Sequence, residues 1–114
     1  MGLAPRGFVL IEVLLASALL LILVSALGGA LLSGLEASAL SGNRARAVFL
    51  ADEGLQAVRS MRDADFALLV NGTHGLGTTV GAWEFTGESD VTGLYTRAIE
   101  VSELDADAKE IVST

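Results

Sequence analysis

The chain has 114 residues, one domain's worth, and about a third of them belong to a single apolar segment near the N-terminus, so the remainder builds only a small core. Residues 1–35 hold one base, Arg6, and one acid, Glu12, whereas residues 36–114 carry 6 basic and 13 acidic side chains, a net −7. An acidic surface repels nucleic-acid backbones, so no nucleic-acid partner is expected, and the lack of cysteine excludes disulfide staples and thiolate sites.

The first element is the run Gly7-Phe8-Val9-Leu10-Ile11-Glu12-Val13-Leu14-Leu15, and from Val13 to Leu35 there are 23 residues without a charge. That length spans the ~30 Å hydrocarbon core of a bilayer as a helix. A carboxylate in a segment of this kind costs on the order of 3 kcal/mol by insertion scales, so Glu12 marks function. Three readings meet here. A secretory signal peptide fits the basic start and a cut near Ala26-Leu27-Gly28, but the apolar run continues to Leu35. A plain single-pass anchor explains the length and lets Glu12 reach headgroups. It leaves unexplained a glycine before an aromatic, four residues ahead of the acid.

The third reading rests on those residues. The seven-residue basic leader ending in Gly7, then Phe8 and Glu12 at the head of the apolar run, resembles the signature of type IV prepilins and their pseudopilin relatives. The resemblance implies cleavage after Gly7 by a prepilin peptidase, methylation of the new Phe8 amine, and a mature chain of 107 residues (114 − 7). It also implies that Glu12, now the fifth residue, pairs with the N-terminal amine of a neighbouring subunit and sets register. An unpaired carboxylate in low dielectric is costly, and a partner cation relieves that cost only in the right register. Two features depart from the family: the second mature residue is Val9 rather than threonine or serine, and the only proline is Pro5, in the leader. Gly28-Gly29 lies near the place where relatives carry a mid-segment proline. Each glycine weakens a helix by ~1 kcal/mol relative to alanine, so this pair is expected to supply the flexible point. Ser25, Gly29 and Ser33, and likewise Ala26, Ala30 and Gly34, recur every four residues and allow close helix approach.

Beyond Leu35 no proline intervenes, and the helical pattern is expected to continue to about Asp63. Gly34 and Ser41-Gly42-Asn43 are its weak points. Leu50, Gly54, Ala57 or Val58, and Met61 trace one apolar stripe, with Arg44, Arg46, Asp52, Glu53, Arg59 and Arg62 largely off it. A helix from Phe8 to Asp63 would be ~80 Å long, too long for a compact domain and suited to a filament stalk. Ala51–Asp63 also looks like a run found after the anchor of certain bacterial prepilin-like proteins.

From Asn71 the texture changes. Asn71-Gly72, Gly75 and Gly77 read as a loop, and Thr78–Phe85 and Tyr95–Val101 as β-prone runs joined by the polar connection Thr86–Leu94. Trp83 and Phe85 share one strand face, and Tyr95, Arg97, Ile99 and Val101 share one face of the other; both are read as packing on the helix. Ile111–Thr114 reads as the start of a further strand. Two strands and a fragment make a marginal sheet, so either the chain is truncated, which the texture favours, or a neighbour completes the edge.

Other residues read as non-sites. His74 is the only histidine and has no second ligand nearby. Asp63-Ala64-Asp65 and Asp105-Ala106-Asp107 lack the glycine turn and terminal bidentate acid of a calcium loop and read as solvated turns. Asn71-Gly72-Thr73 matches the glycosylation triplet, a pattern frequent by chance. With no nucleophile–base constellation, neither catalysis nor a cofactor is expected. The expected fold is α+β and pilin-like, a long N-terminal helix packed at its C-terminal half by a small antiparallel sheet. Its parts are a leader (1–7), a transmembrane or filament-core helix (8–35), an amphipathic continuation (36–63) and a β-rich head (64–114). The expected function is that of a filament subunit in the cytoplasmic membrane, single-pass, then in an extracellular or periplasmic fibre. Its partners would be the prepilin peptidase, other pilin subunits and the assembly platform of a pilus or type II secretion system. Whether the fibre is a pilus or a pseudopilus stays open. The rival reading is a membrane-anchored binding module whose helix is only a tether.

Overall fold

The computed structural model describes residues 6–114 and consists of one long helix followed by a small antiparallel sheet, an α+β layout. Helix α1 (Arg6–Ala64) is followed by a 3-10 turn (Phe66–Leu68) and six strands: β1 (Gly72–Thr79), β2 (Ala82–Thr86), β3 (Asp90–Thr92), β4 (Tyr95–Arg97), β5 (Ile99–Asp105) and β6 (Ala108–Ser113). Of the expected leader, residues 1–5 lie outside the described residues; Gly7 and Phe8 fall in the first turn of α1.

The chain divides into two compact units, the first ending at Gly42 and the second spanning Asn43–Thr114. In the first, α1 runs without interruption through Gly28 and Gly29, as a proline-free sequence permits. Two of its serine hydroxyls turn back on the helix, Ser17 Oγ donating to the Leu14 carbonyl (2.9 Å) and Ser25 Oγ to that of Leu21 (2.7 Å). Polar side chains are thereby satisfied without water. Every large apolar side chain from Phe8 to Leu40 is more than half exposed.

The second unit is a small head. Four strands form one sheet in the order β2-β1-β5-β6, and β3 and β4 form a separate two-stranded ribbon. The core gathers the helix stripe, Ala57, Val58 and Met61, with Leu69, Leu76, Ile99 and Val101, and Trp83, Phe85 and Ile111 pack partly buried against it. Gly54 is also buried, while Leu50 is half-buried at the start of the stripe. The stripe, the Trp83 and Phe85 face, and Ile99 and Val101 of the other face therefore pack as their spacing predicts, whereas Tyr95 lies in the ribbon outside this core. At the end of α1, Asp65 is extended, and its Oδ1 accepts from the Ala67 N–H (2.9 Å), capping the 3-10 turn that redirects the chain.

Several strand assignments differ from the sequence reading. Gly72–Gly77, read as a loop, is the first part of β1. Gly75 is a strand glycine because an added Cβ would stand 2.5 Å from both the Ser89 carbonyl carbon and the Thr86 oxygen. The run Thr78–Phe85 is split by a turn at Val80-Gly81 into the end of β1 and most of β2. The polar connection Thr86–Leu94 contains β3, and Tyr95–Val101 is divided at Ala98 between β4 and β5. The residues before Thr114 complete a hairpin with β5, extended by the Ala98–Thr114 pair of backbone hydrogen bonds (2.8 and 3.0 Å). Six strands, rather than two and a fragment, make up the head.

Candidate functional site

The residues singled out by sequence all lie on α1. Phe8, Ile11, Glu12, Leu15, Ala16 and Leu19 line one shallow groove along the helix, as positions i, i+3, i+4, i+7, i+8 and i+11 must. Phe8 and Glu12 are thus one turn apart on the same face, a rise of ~6 Å. Glu12 is exposed, and among the described residues it has no ion-pairing partner. The arrangement presents a single anion on an otherwise apolar cylinder, a feature that a cation on a neighbouring surface neutralises. Gly28 and Gly29 are exposed helical positions at which an added Cβ meets no atom within 4 Å. Nothing within this unit requires them to be glycine.

The helix from Gly7 is long and apolar enough to cross a membrane, and its most apolar stretch is not buried. An exposed apolar surface of this extent needs lipid or protein to cover it.

In the head, His74, Asn71 and Asp63 make local contacts. His74 stacks on Phe85 with ring centroids 4.4 Å apart, and its Nε2 lies 2.8 Å from the Val70 carbonyl oxygen. Asn71 Nδ2 donates to Glu103 (3.1 Å), and Asp63 pairs with Arg62 (2.7 Å). Sequence reasoning missed one constellation. Arg97 is buried and donates to both carboxylate oxygens of Asp90 (3.2 and 2.7 Å) and to the Leu50 carbonyl (2.9 Å). Asp90 Oδ1 in turn accepts from the Leu76 N–H (2.9 Å), so one ion pair ties the β3–β4 ribbon to both the helix and β1. The available signal was Arg97 itself, the one charge on a strand face otherwise formed by Tyr95, Ile99 and Val101. A buried arginine needs a partner. This cluster is fully occupied with holding the head together.

Comparison with protein-family models, with characterised proteins and with solved structures finds no match for this chain. The class is defined by architecture alone: a membrane-length apolar helix continuing into a small α+β head.

Proposed function

We propose that this chain is a type IV pilin-like subunit, inserted in the cytoplasmic membrane as a prepilin and assembled into a pilus or pseudopilus. The observation that carries the reading is the placement of Phe8 and Glu12 one turn apart on the exposed apolar part of α1. In this mechanism a peptidase removes Met1–Gly7, the Phe8 amine is methylated, and Glu12 of one subunit pairs with the Phe8 amine of the next. The pair offsets the desolvation of both charges only at one stagger between helices, so it selects register rather than adding bulk affinity. The apolar surface of Phe8–Leu35 passes from lipid to the filament core, and the acidic head faces solvent or other subunits. Gly28-Gly29 gives the helix a point of weak propensity where packing demands a bend.

The test is co-expression with a prepilin peptidase and the intact mass of the membrane-bound product. Loss of residues 1–7, with one added methyl group, supports the reading. An uncut chain, or one cut near Gly28, overturns it and leaves a tethered module or a secreted domain.

A further inference from the structure

The β1–β2 hairpin closes through the two-residue turn Val80-Gly81, with Thr79 opposite Ala82. Both turn residues have positive φ, 54° at Val80 and 80° at Gly81. This is the turn that asparagine-glycine satisfies best, because a β-branched residue is strained in the left-handed region. Val80 is also 101% exposed, so no packing within the head compensates for the strain. An apolar side chain thus stands at a projecting tip, in a conformation that disfavours it and in contact with water. Beside it, Glu84 accepts a hydrogen bond from the Thr79 hydroxyl, and the hairpin carries no lysine or arginine.

The same head contains a complementary hole. A groove of about 460 Å³ lies between the outer side of α1 and β6, floored by Leu55, Phe66, Leu69 and Ile111. Arg59, Arg62 and Lys109 line it against one carboxylate, Asp107, so three of the six basic residues beyond residue 35 meet there. Lys109 Nζ sits 5.6 Å from the Phe66 ring centroid and donates to the Leu69 carbonyl, and Arg62 is engaged by Asp63. Among the described residues no carboxylate pairs with Arg59, which leaves its charge available at the rim.

We infer that the Val80 tip of one copy seats in the cationic groove of a second copy, with Glu84 facing the Arg59 side. An apolar knob beside an anion fits an apolar floor beside cations. The knob and the hole are different surfaces of one chain, so the contact either propagates from copy to copy or closes as a two-fold pair that makes it twice. It rests on the filament reading only in needing a second copy alongside.

The chain has no native cysteine, which makes cross-linking clean. Full-length Val80→Cys and Ala108→Cys copies, differently tagged and co-expressed in membranes, are oxidised and scored for the mixed disulfide. The expected yield is at least tenfold above a Val80→Cys and Val91→Cys pair, since Val91 is exposed but lies outside the groove. Equal yields overturn the contact, as does a predominant Val80→Cys homodimer (a tip-to-tip contact) or capture of the tip by a different protein. Val80→Asn supplies a readout of opposite sign. It relieves the turn and raises the melting temperature by several degrees, yet lowers self-association severalfold; a gain in stability with association unchanged overturns the proposal. Cleavage of the leader with loss of incorporation in Glu12→Gln but no mixed disulfide sinks the head contact alone. A mixed disulfide from an uncut chain upholds the contact and sinks the filament reading.

Discussion

Removing the carboxylate of Asp90 leaves the buried Arg97 guanidinium with only Glu53, half exposed and 3.9 Å away, and the Leu76 N–H without its acceptor. Breaking such a pair from one side costs ~3–5 kcal/mol, whereas replacing both partners with apolar residues costs far less. Asp90→Ala is therefore expected to lower the stability of the head by that order, and Asp90→Ala with Arg97→Met to recover part of the loss, the Leu76 N–H and the Leu50 carbonyl staying unpaired. Urea denaturation of the full chain in detergent micelles, followed by the fluorescence of Trp83, measures both. Gly54 invites a second substitution. A Cβ there would stand 2.8 Å from Ser113 Oγ, 2.9 Å from Ile99 Cδ1 and 3.1 Å from Arg97 Cδ. Gly54→Ala gains helix propensity worth ~1 kcal/mol but makes the packed side chains of Ser113, Ile99 and Arg97 shift, a cost of ~1–3 kcal/mol, so net destabilisation is expected in the same assay. Glu12→Gln belongs to another category. It leaves leader cleavage intact and abolishes incorporation into filaments if the carboxylate sets register, which the mass of the processed chain and the sheared-filament fraction read separately.

At the scale of the element, α1 does two jobs with two kinds of surface. Its first part is apolar on every side, which suits a surround of lipid or other helices; its second part concentrates apolar residues in the stripe that the sheet covers. Gly28 and Gly29 fall in the first part, where nothing within the chain opposes a methyl group. Gly28→Ala with Gly29→Ala is expected to stiffen the helix by ~2 kcal/mol in total. If the pair is the bending point of a filament, this variant inserts and loses its leader normally but yields fewer filaments. Equal filament yield would remove that role. The sheet reverses this logic at Gly75, where Thr86 and Ser89 backbone atoms come so close that only glycine fits. Gly75→Ala therefore disrupts the join between β1 and the loop ahead of β3.

For the molecule as a whole, partition between membrane and water depends on the apolar segment. A charge at its centre costs ~3 kcal/mol on insertion scales. Leu21→Arg is expected to shift much of the chain from the carbonate-resistant membrane fraction to the soluble or degraded pool. The head, whose core lies within Asn43–Thr114, has no reason to unfold in consequence.

The division between membrane-length helix and acidic head, the apolar stripe from Leu50 to Met61 and the isolation of Glu12 were all legible in the sequence. Helical periodicity, charge and hydropathy are properties of neighbouring residues, so a linear reading captures them. The strand pattern was only partly legible, since Trp83 and Phe85 showed their common face while Gly72–Gly77 passed for a loop. A glycine required by a close backbone approach looks the same in sequence as one required by a turn. The pairing of Gly72 with Val101, the reach of Arg97 to Leu50 and the seating of Ser113 over Gly54 join residues far apart in the chain. Those contacts, and with them the exposed Val80 tip and the cationic groove, exist only once the sheet has closed on the helix, because tertiary packing determines which side chains are covered and which are left to meet a partner.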